Sequence, residues 1–239
     1  MNQTYFLFFL FIVSDCLAQS TLERYPEYYF KFTVSDSINY SGIYSDQQVR
    51  DSLKNEENNS HRAAKKIEEY ILESQTIDFL ERKNKSWDIT LTNGSIKRLS
   101  IPNYSDVADY TLEHFYEKHQ LIVFRTQYSE GNEYLVVSRI TGREFTMWGP
   151  PSFSPNGKFF TSYNNDLMAG YSPNGIQLFE IIGNNPTLTI NYPMDVGPSQ
   201  TSWISDSTFH LETYDLGTTN GSLTYIYTHY IVTYERTGH

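Results

Sequence analysis

The chain has a single cysteine, Cys16, among its 239 residues. This cysteine lies inside a predicted signal peptide, so cleavage after Ala18 would leave the rest of the chain without a thiol. Disulfides, cysteine nucleophiles and thiolate metal sites are then excluded. A chain of this length does not need such cross-links, because it is long enough to bury a full core.

Basic residues are also scarce. The chain has 18 Lys and Arg against 28 Asp and Glu, which gives a net charge of −10 and a pI near 5.0. Nucleic acids and anionic membranes favour basic patches, so this balance argues against both as partners. Cationic partners are compatible with it.

The apolar run from Tyr5 to Val13 is too short to span a membrane and suits the core of a secretory signal. We predict a signal peptide over residues 1–18 and a secreted or periplasmic protein, with no membrane insertion after cleavage. Two alternatives are a buried N-terminal strand and lipid attachment at Cys16. The second requires a small residue before the cysteine, where this chain has Asp15.

Motifs that identify common enzymes are missing as well. The chain has no His-Glu-x-x-His, no Gly-x-Ser-x-Gly elbow and no glycine-rich phosphate loop. His114 and His119 are five residues apart, which does not suit a metal pair on a helix or a strand. We therefore predict no cofactor and no metal. Carboxylates in predicted loops are the remaining candidates for chemistry: Glu113, Glu117, Glu130, Glu133, Asp166 and Asp195.

Aromatic residues are abundant, with 20 Tyr and 15 Phe, and both types favour β-strands. Alternation from Glu27 to Val34 predicts an N-terminal strand. Asn58 to Ser60 can cap a helix that we predict to run to about Lys83. The charged run Lys65 to Glu69 on this helix is either a solvated face or a docking face for a partner.

After Ser86 the pattern is that of β-structure. Trp87 to Leu91 and Ile96 to Ile101 flank Asn93-Gly94, which predicts a hairpin with a type I′ turn. The sequence Ser-Pro-Asn-Gly occurs twice, at Ser154 to Gly157 and at Ser172 to Gly175, and it is typical of turns.

Three stretches share the order aromatic residue, polar turn, strand. They begin at Phe115, Phe153 and Trp203, which are 38 and 50 residues apart. This spacing is close to the period of a propeller blade, about 40 to 50 residues. A further predicted strand follows each of them at a similar distance.

Phe153 to Lys158 resembles the aromatic-Ser-Pro-Asp-Gly-Lys turn of the TolB-like β-propeller repeats, with Asn156 in place of the aspartate. Trp203 to Asp206 is a weaker version, and the resemblance covers about Trp87 to Arg236. It implies a mostly β fold, a propeller-like array of about four small antiparallel sheets with an N-terminal helical insertion. Only three and a half blades can be counted. Either the N-terminal strand completes the first blade, or the array is open and its exposed edge is covered by the helix or by another chain.

The predicted organisation is a signal peptide (1–18), a strand and helical segment (19–85) and the propeller-like β domain (86–239). Such an array favours a non-catalytic binding module that recognises a protein or a glycan through its loops. The alternatives are an extracellular hydrolase that uses loop carboxylates and an accessory subunit or homo-oligomer that pairs through an open edge strand.

The candidate binding residues are Trp148, Tyr163, Asp166 and Tyr171. Trp148 lies in a Pro-Gly loop, where an aromatic ring can stack on a sugar or anchor a protein, or else fill the gap between two blades. Tyr225, Tyr227 and Tyr230 in the last strand are predicted to pack inside the fold.

Overall fold

The computed structural model describes residues 28–35, 59–103, 105–167, 170, 173–219 and 222–237. These residues form fifteen β-strands, one α-helix and a short 3-10 turn. The strands make four separate antiparallel sheets, and none of these sheets closes into a barrel. The prediction of a mostly β fold with about four small antiparallel sheets is therefore confirmed. No helix in these ranges combines the length and the apolar character needed to cross a bilayer.

Three sheets consist of strands that are consecutive in the chain. Sheet I contains β2 (Leu80–Lys83), β3 (Ser86–Thr90) and β4 (Ile96–Ser100). Sheet II contains β5 (Val107–Tyr116), β6 (Leu121–Tyr128), β7 (Asn132–Ser138) and β8 (Glu144–Met147). Sheet III contains β9 (Ser152–Phe153), β10 (Phe159–Asn164), β11 (Gly175–Ile182) and β12 (Asn185–Pro193).

Sheet IV joins distant parts of the chain. It contains β13 (Gly197–Trp203), β14 (Thr208–Thr219), β15 (Ser222–Arg236) and β1 (Tyr28–Ser35). The first strand pairs antiparallel with the last along its whole length, and the expectation that it joins the first sheet is wrong. Phe30 and Phe32 explain this choice, because their rings pack against Phe209 and Tyr230 of the last sheet.

The helix α1 (Ser60–Ser74) begins where the capping residues predicted. The side chain of Asn59 accepts hydrogen bonds from the backbone N–H groups of His61 and Arg62. Its predicted end is wrong, because the chain becomes extended at Gln75 and residues 80–83 form β2. Tertiary pairing decides this segment, since β2 lies beside β3 and buries Leu80.

The charged run on α1 faces the protein interior in part. Arg82 donates to Glu68 Oε2 at 2.6 Å and to Asp109 Oδ1 at 2.7 Å, and Lys65 Nζ lies 2.5 Å from Asp109 Oδ2. Glu68 is only 5 % exposed. We call these four residues the ion cluster. Both interpretations of the run are wrong for Glu68, which docks the helix onto sheets I and II of its own chain.

Apolar side chains fill the space between successive sheets. One cluster joins α1 with sheets I and II, a second joins sheets II and III, and two more join sheets III and IV. Trp87, Phe124, Phe160 and Phe209 are the largest fully buried residues in these clusters. The sheets are therefore packed face to face in the order I, II, III, IV.

The three predicted aromatic-turn-strand units are confirmed as the connections β5–β6, β9–β10 and β13–β14. They are neighbours in space: His119 stacks on Phe153 with ring centroids 4.2 Å apart, and the Asn156 N–H donates to Asp206 Oδ1 at 2.8 Å. We call this side of the sheets the turn end. Gln120, with φ 52°, takes in the first turn the left-handed conformation that Gly157 takes in the second.

The predicted hairpin β3–β4 is confirmed, but its turn type is not. A type I′ turn needs positive φ at both central residues, and here Gly94 has φ 83° while Asn93 does not have a positive φ. The Asn93 side chain instead accepts hydrogen bonds from the N–H and hydroxyl of Ser95. This local bonding favours a conformation that propensity alone did not indicate.

Candidate functional site

A cleft of about 350 Å³ lies between sheets II and III, at the end of the strands opposite the turn end. Its walls come from the segment before β5, the β6–β7 hairpin, the β8–β9 loop and the facing ends of β10 and β11. The lining residues are Asp106, Tyr128, Glu130, Asn132, Glu133, Thr146, Met147, Trp148, Asn164, Pro173 and Gln177.

The lining of this cleft is acidic and aromatic. Asp106, Glu130 and Glu133 supply three carboxylates, and no Lys, Arg or His is among the lining residues. The Tyr128 hydroxyl donates to Glu133 Oε1, and burial together with this carboxylate raises the pKa of Tyr128 above its ordinary value. Tyr128 therefore stays a neutral hydrogen-bond donor that orients one of the three carboxylates.

The loop that carries Trp148 is fixed by backbone hydrogen bonds. Its backbone N–H donates to Gln177 Oε1 at 3.0 Å, and the next N–H, of Gly149, donates to Ser162 Oγ at 2.8 Å. A Cβ at Gly149 would lie 2.1 Å from the Tyr163 carbonyl oxygen, so only glycine allows this approach. The backbone of Trp148, a half-buried residue of the cleft lining, is therefore fixed by these two hydrogen bonds.

No protein-family model, curated protein or solved structure matches this chain significantly.

The resemblance to TolB-like repeats therefore stays a prediction. Within the described residues no group of three or more His, Cys, Asp and Glu side chains is close enough to hold a metal ion. The three cleft carboxylates come from two segments, the one before β5 and the β6–β7 hairpin.

Tyr163, the second predicted binding residue, lies away from the cleft. Its hydroxyl donates to the carbonyl of Ser199 at 2.8 Å, and its ring packs against the cluster that contains Ile176 and Phe209. This position joins sheets III and IV. The structure therefore gives Tyr163 a packing contact and places it outside the cleft lining.

Asp166 belongs to the β10–β11 loop beside the cleft. It accepts a hydrogen bond from the Gly170 N–H at 3.1 Å, and its own N–H donates to Asn174 Oδ1 at 3.1 Å. Asn174 also donates to the carbonyls of Met194 and Val196. Asp166 thus fixes the loop that carries Pro173, while Tyr171 lies outside the described residues.

Among the candidate carboxylates, the structure brings Glu130 and Glu133 together in the cleft. Glu113 is buried within β5, and Glu117 lies at the turn end. Asp106, Tyr128 and Gln177 were not selected from the sequence. The Glu-Gly step at Glu130 marks a hairpin tip and could have directed attention to this loop, but nothing local connects it with Trp148.

Proposed function

We propose that this chain is a secreted or periplasmic, non-catalytic binding module that recognises a protein or a glycan through the cleft between sheets II and III. The observation that carries the proposal is Trp148, held by backbone hydrogen bonds in an acid-lined cleft of about 350 Å³. Ligand pockets have volumes of about 300 to 1,000 Å³, so the cleft accepts one sugar ring or one long side chain.

The chemistry of the lining favours two related ligand classes. An indole face stacks on the apolar face of a sugar ring or on a cationic group. Carboxylates accept hydrogen bonds from sugar hydroxyls, from ammonium groups and from guanidinium groups. A glycan and a Lys- or Arg-bearing segment of a protein both present these groups, and the chain's net charge of −10 favours the cationic ones.

We also propose that the four sheets are the blades of a small propeller. The strands of sheets II and III follow each other in chain order, and the last sheet takes its outer strand from the N-terminal β1. This sheet therefore connects the N-terminal strand β1 with the last strand, β15. Sheet I has three strands, and we suggest that α1, which precedes β2 and packs on β5, takes the place of its fourth strand. Four blades are the lower limit of typical propellers.

The binding proposal is tested by calorimetric titration against two panels: neutral and amino-sugar oligosaccharides, and Lys-rich and Arg-rich peptides. We expect a ligand whose affinity falls at least about tenfold in Trp148→Ala, because the aromatic face is lost. Glu130→Gln should weaken a cationic ligand, whereas Glu117→Gln is a matched control at the turn end. Equal losses in the two Glu variants, or no binding from either panel, would overturn the proposal.

A second candidate, a glycan hydrolase, is favoured by the presence of Glu130 and Glu133 in the same cleft. Glycosidases use two carboxylates on either side of the scissile bond. The test is release of reducing ends from the oligosaccharides above. Turnover that disappears in Glu133→Gln and persists in Glu117→Gln would replace the binding role with a catalytic one.

A further inference from the structure

The last hairpin extends beyond the sheet to which it belongs. In sheet IV, β13 pairs with β14 only as far as Tyr214, and β1 pairs with β15 only as far as His229. Among the described residues, 215–219 pair only with 222–226, and Tyr227 and Thr228 pair only with Tyr214 and Thr213 of β14. We call this two-stranded extension the ribbon. It leaves the sheets at the same end as the cleft, since β14 runs away from the turn end.

The ribbon is apolar and exposed. Leu223, Tyr225, Ile226 and Tyr227 are 62, 56, 54 and 56 % exposed. No charged residue occurs from Leu216 to Thr228. The exposure of Tyr225 and Tyr227 contradicts the expectation that these tyrosines pack inside the fold. The reason is that, within the described part of the chain, β14 is the only strand that pairs with them, because the pairing of β1 with β15 ends at His229.

An isolated two-stranded ribbon is marginally stable in water, and its free edges can template further pairing. Natural sheets protect such edges with Lys, Pro or inward charges. The segment Ser222 to Thr228 contains none of these. Tyr214 stacks edge-on against Tyr225 at 5.2 Å and contacts Tyr227 at 6.0 Å, which holds the two strands of the ribbon together. Among the residues that the structure describes, no strand pairs with the outer edge of 222–228.

We propose that Ser222 to Thr228 pairs antiparallel with the same segment of a second copy of this chain, across a twofold axis through Tyr225. The register is self-complementary: Leu223 lies opposite Tyr227 of the second copy, Thr224 lies opposite Ile226, and Tyr225 lies opposite itself. Every apolar residue on one face then meets an apolar residue. A surface that matches itself in this way is what a twofold dimer requires.

The distribution of charge favours a second copy of this chain, and not a charged partner, as the molecule that pairs with the ribbon. Two chains that each carry a net charge of −10 repel one another over most of their surfaces. The repulsion is smallest where the contact surface is uncharged, and the 13 residues from Leu216 to Thr228 carry no charge. A strongly cationic partner would gain nothing from this surface, whereas an identical ribbon satisfies its backbone edge and covers its tyrosines.

The first test is sedimentation velocity over a wide range of protein concentration. The mass should rise from that of one chain toward twice 27.8 kDa, and added salt should strengthen the association by screening the net charge. Tyr225→Lys places two ammonium groups opposite one another and should keep the protein monomeric. Ile182→Lys, at an equally exposed position on β11, is the matched control and should still dimerise.

The second test fixes the register by disulfide formation in a Cys16→Ser background. Tyr225→Cys places two thiols directly opposite each other, within reach of a disulfide after a small adjustment. Tyr227→Cys places its thiol opposite Leu223, and the two thiols are then four residues, about 13 Å, apart along the strands. Rapid cross-linking of the first variant alone supports the axis. A monomer at all concentrations, or equal cross-linking of both variants, overturns the proposal.

Discussion

Different kinds of contact hold the two ends of the sheet series: ion pairs hold α1 on sheets I and II, and aromatic rings hold sheet III on sheet IV. At the α1 end, the ion cluster fastens the helix to sheets I and II through Arg82, which bonds both Glu68 and Asp109. At the other end, sheets III and IV meet through aromatic rings: Phe159 and Tyr234 lie 4.6 Å apart, and Trp203 and Phe209 lie 5.1 Å apart within sheet IV at this interface.

The difference teaches what each kind of contact contributes. The attraction within a buried ion pair is largely offset by the cost of removing the two charges from water, so the pair fixes geometry more than it adds net stability. Removal of one partner strongly destabilises the fold, because it leaves the other charge buried and unpaired. Aromatic packing contributes through buried apolar area, and its partial loss is graded. A single mutation in the ion cluster should therefore lower the free energy of unfolding by a large amount. Single mutations between sheets III and IV should lower it by smaller amounts that depend on the apolar area lost.

The largest effect is expected for Arg82→Ala. This change leaves Glu68 and Asp109 as buried carboxylates without their guanidinium, which should cost about 3–5 kcal/mol of the free energy of unfolding. Urea denaturation measures it. Lys97→Ala is the control, because Lys97 pairs with Glu144 at 2.7 Å in a partly exposed surface pair and should cost at most about 1 kcal/mol. Equal losses of unfolding free energy in Arg82→Ala and Lys97→Ala would show that the buried ion pairs contribute no more than the surface pair.

Phe209→Leu should have a smaller effect at the other end. Phe209 is fully buried, with Trp203 at 5.1 Å and Phe30 at 5.8 Å. Leucine keeps most of the apolar contact but loses the ring pairs, at a cost of about 1–2 kcal/mol. Urea denaturation again reports it, and a loss as large as that of Arg82→Ala would contradict a graded response.

Trp203→Phe isolates a single hydrogen bond at the same interface. The Trp203 Nε1–H donates to the carbonyl of Ser152 at 2.7 Å, and phenylalanine keeps the packing but leaves that carbonyl without its donor. The expected cost is about 1 kcal/mol. An unchanged urea midpoint would show that the ring alone connects sheets III and IV.

Glu68→Gln gives the smallest effect, and its pH dependence sharpens the comparison. Burial raises the pKa of Glu68, while the Leu112 N–H and Arg82 oppose the shift. The folded protein therefore keeps this proton to higher pH than the unfolded chain. The stabilising contribution is complete below the unfolded pKa and is lost as pH rises through the raised value. The unfolding free-energy difference between wild type and Glu68→Gln should shrink from pH 4 to pH 7.

Much of the local structure could be predicted from the sequence. Alternating apolar residues and turn residues act within a few positions of each other, so the units at Phe115, Phe153 and Trp203 could be located before any contact was known. The helix N-terminus at Asn59 was predicted for the same reason. Its C-terminus was not, because Leu80 satisfies a helical pattern and a strand pattern equally well and only the neighbouring β3 distinguishes them.

The site was predictable only in part. Trp148 was selected because a Pro-Gly loop displays an aromatic ring, and the structure places it in the cleft. Tyr163 and Asp166 were also selected, yet Tyr163 joins two sheets and Asp166 fixes a loop. Asp106 lies 42 residues before Trp148 in the chain. No local pattern connects such residues, because their approach depends on how sheets II and III pack.

By itself, the sequence determined many elements of this protein: short strands, turns of Ser, Pro, Asn and Gly, and the capped start of α1, all of which depend on interactions between near neighbours. The tertiary structure alone decided three features: the pairing of β1 with β15, the burial of Glu68 beside Arg82, and the cleft around Trp148. Each arises from contacts between residues far apart in the chain, whose energies depend on burial and on pairing partners rather than on residue type.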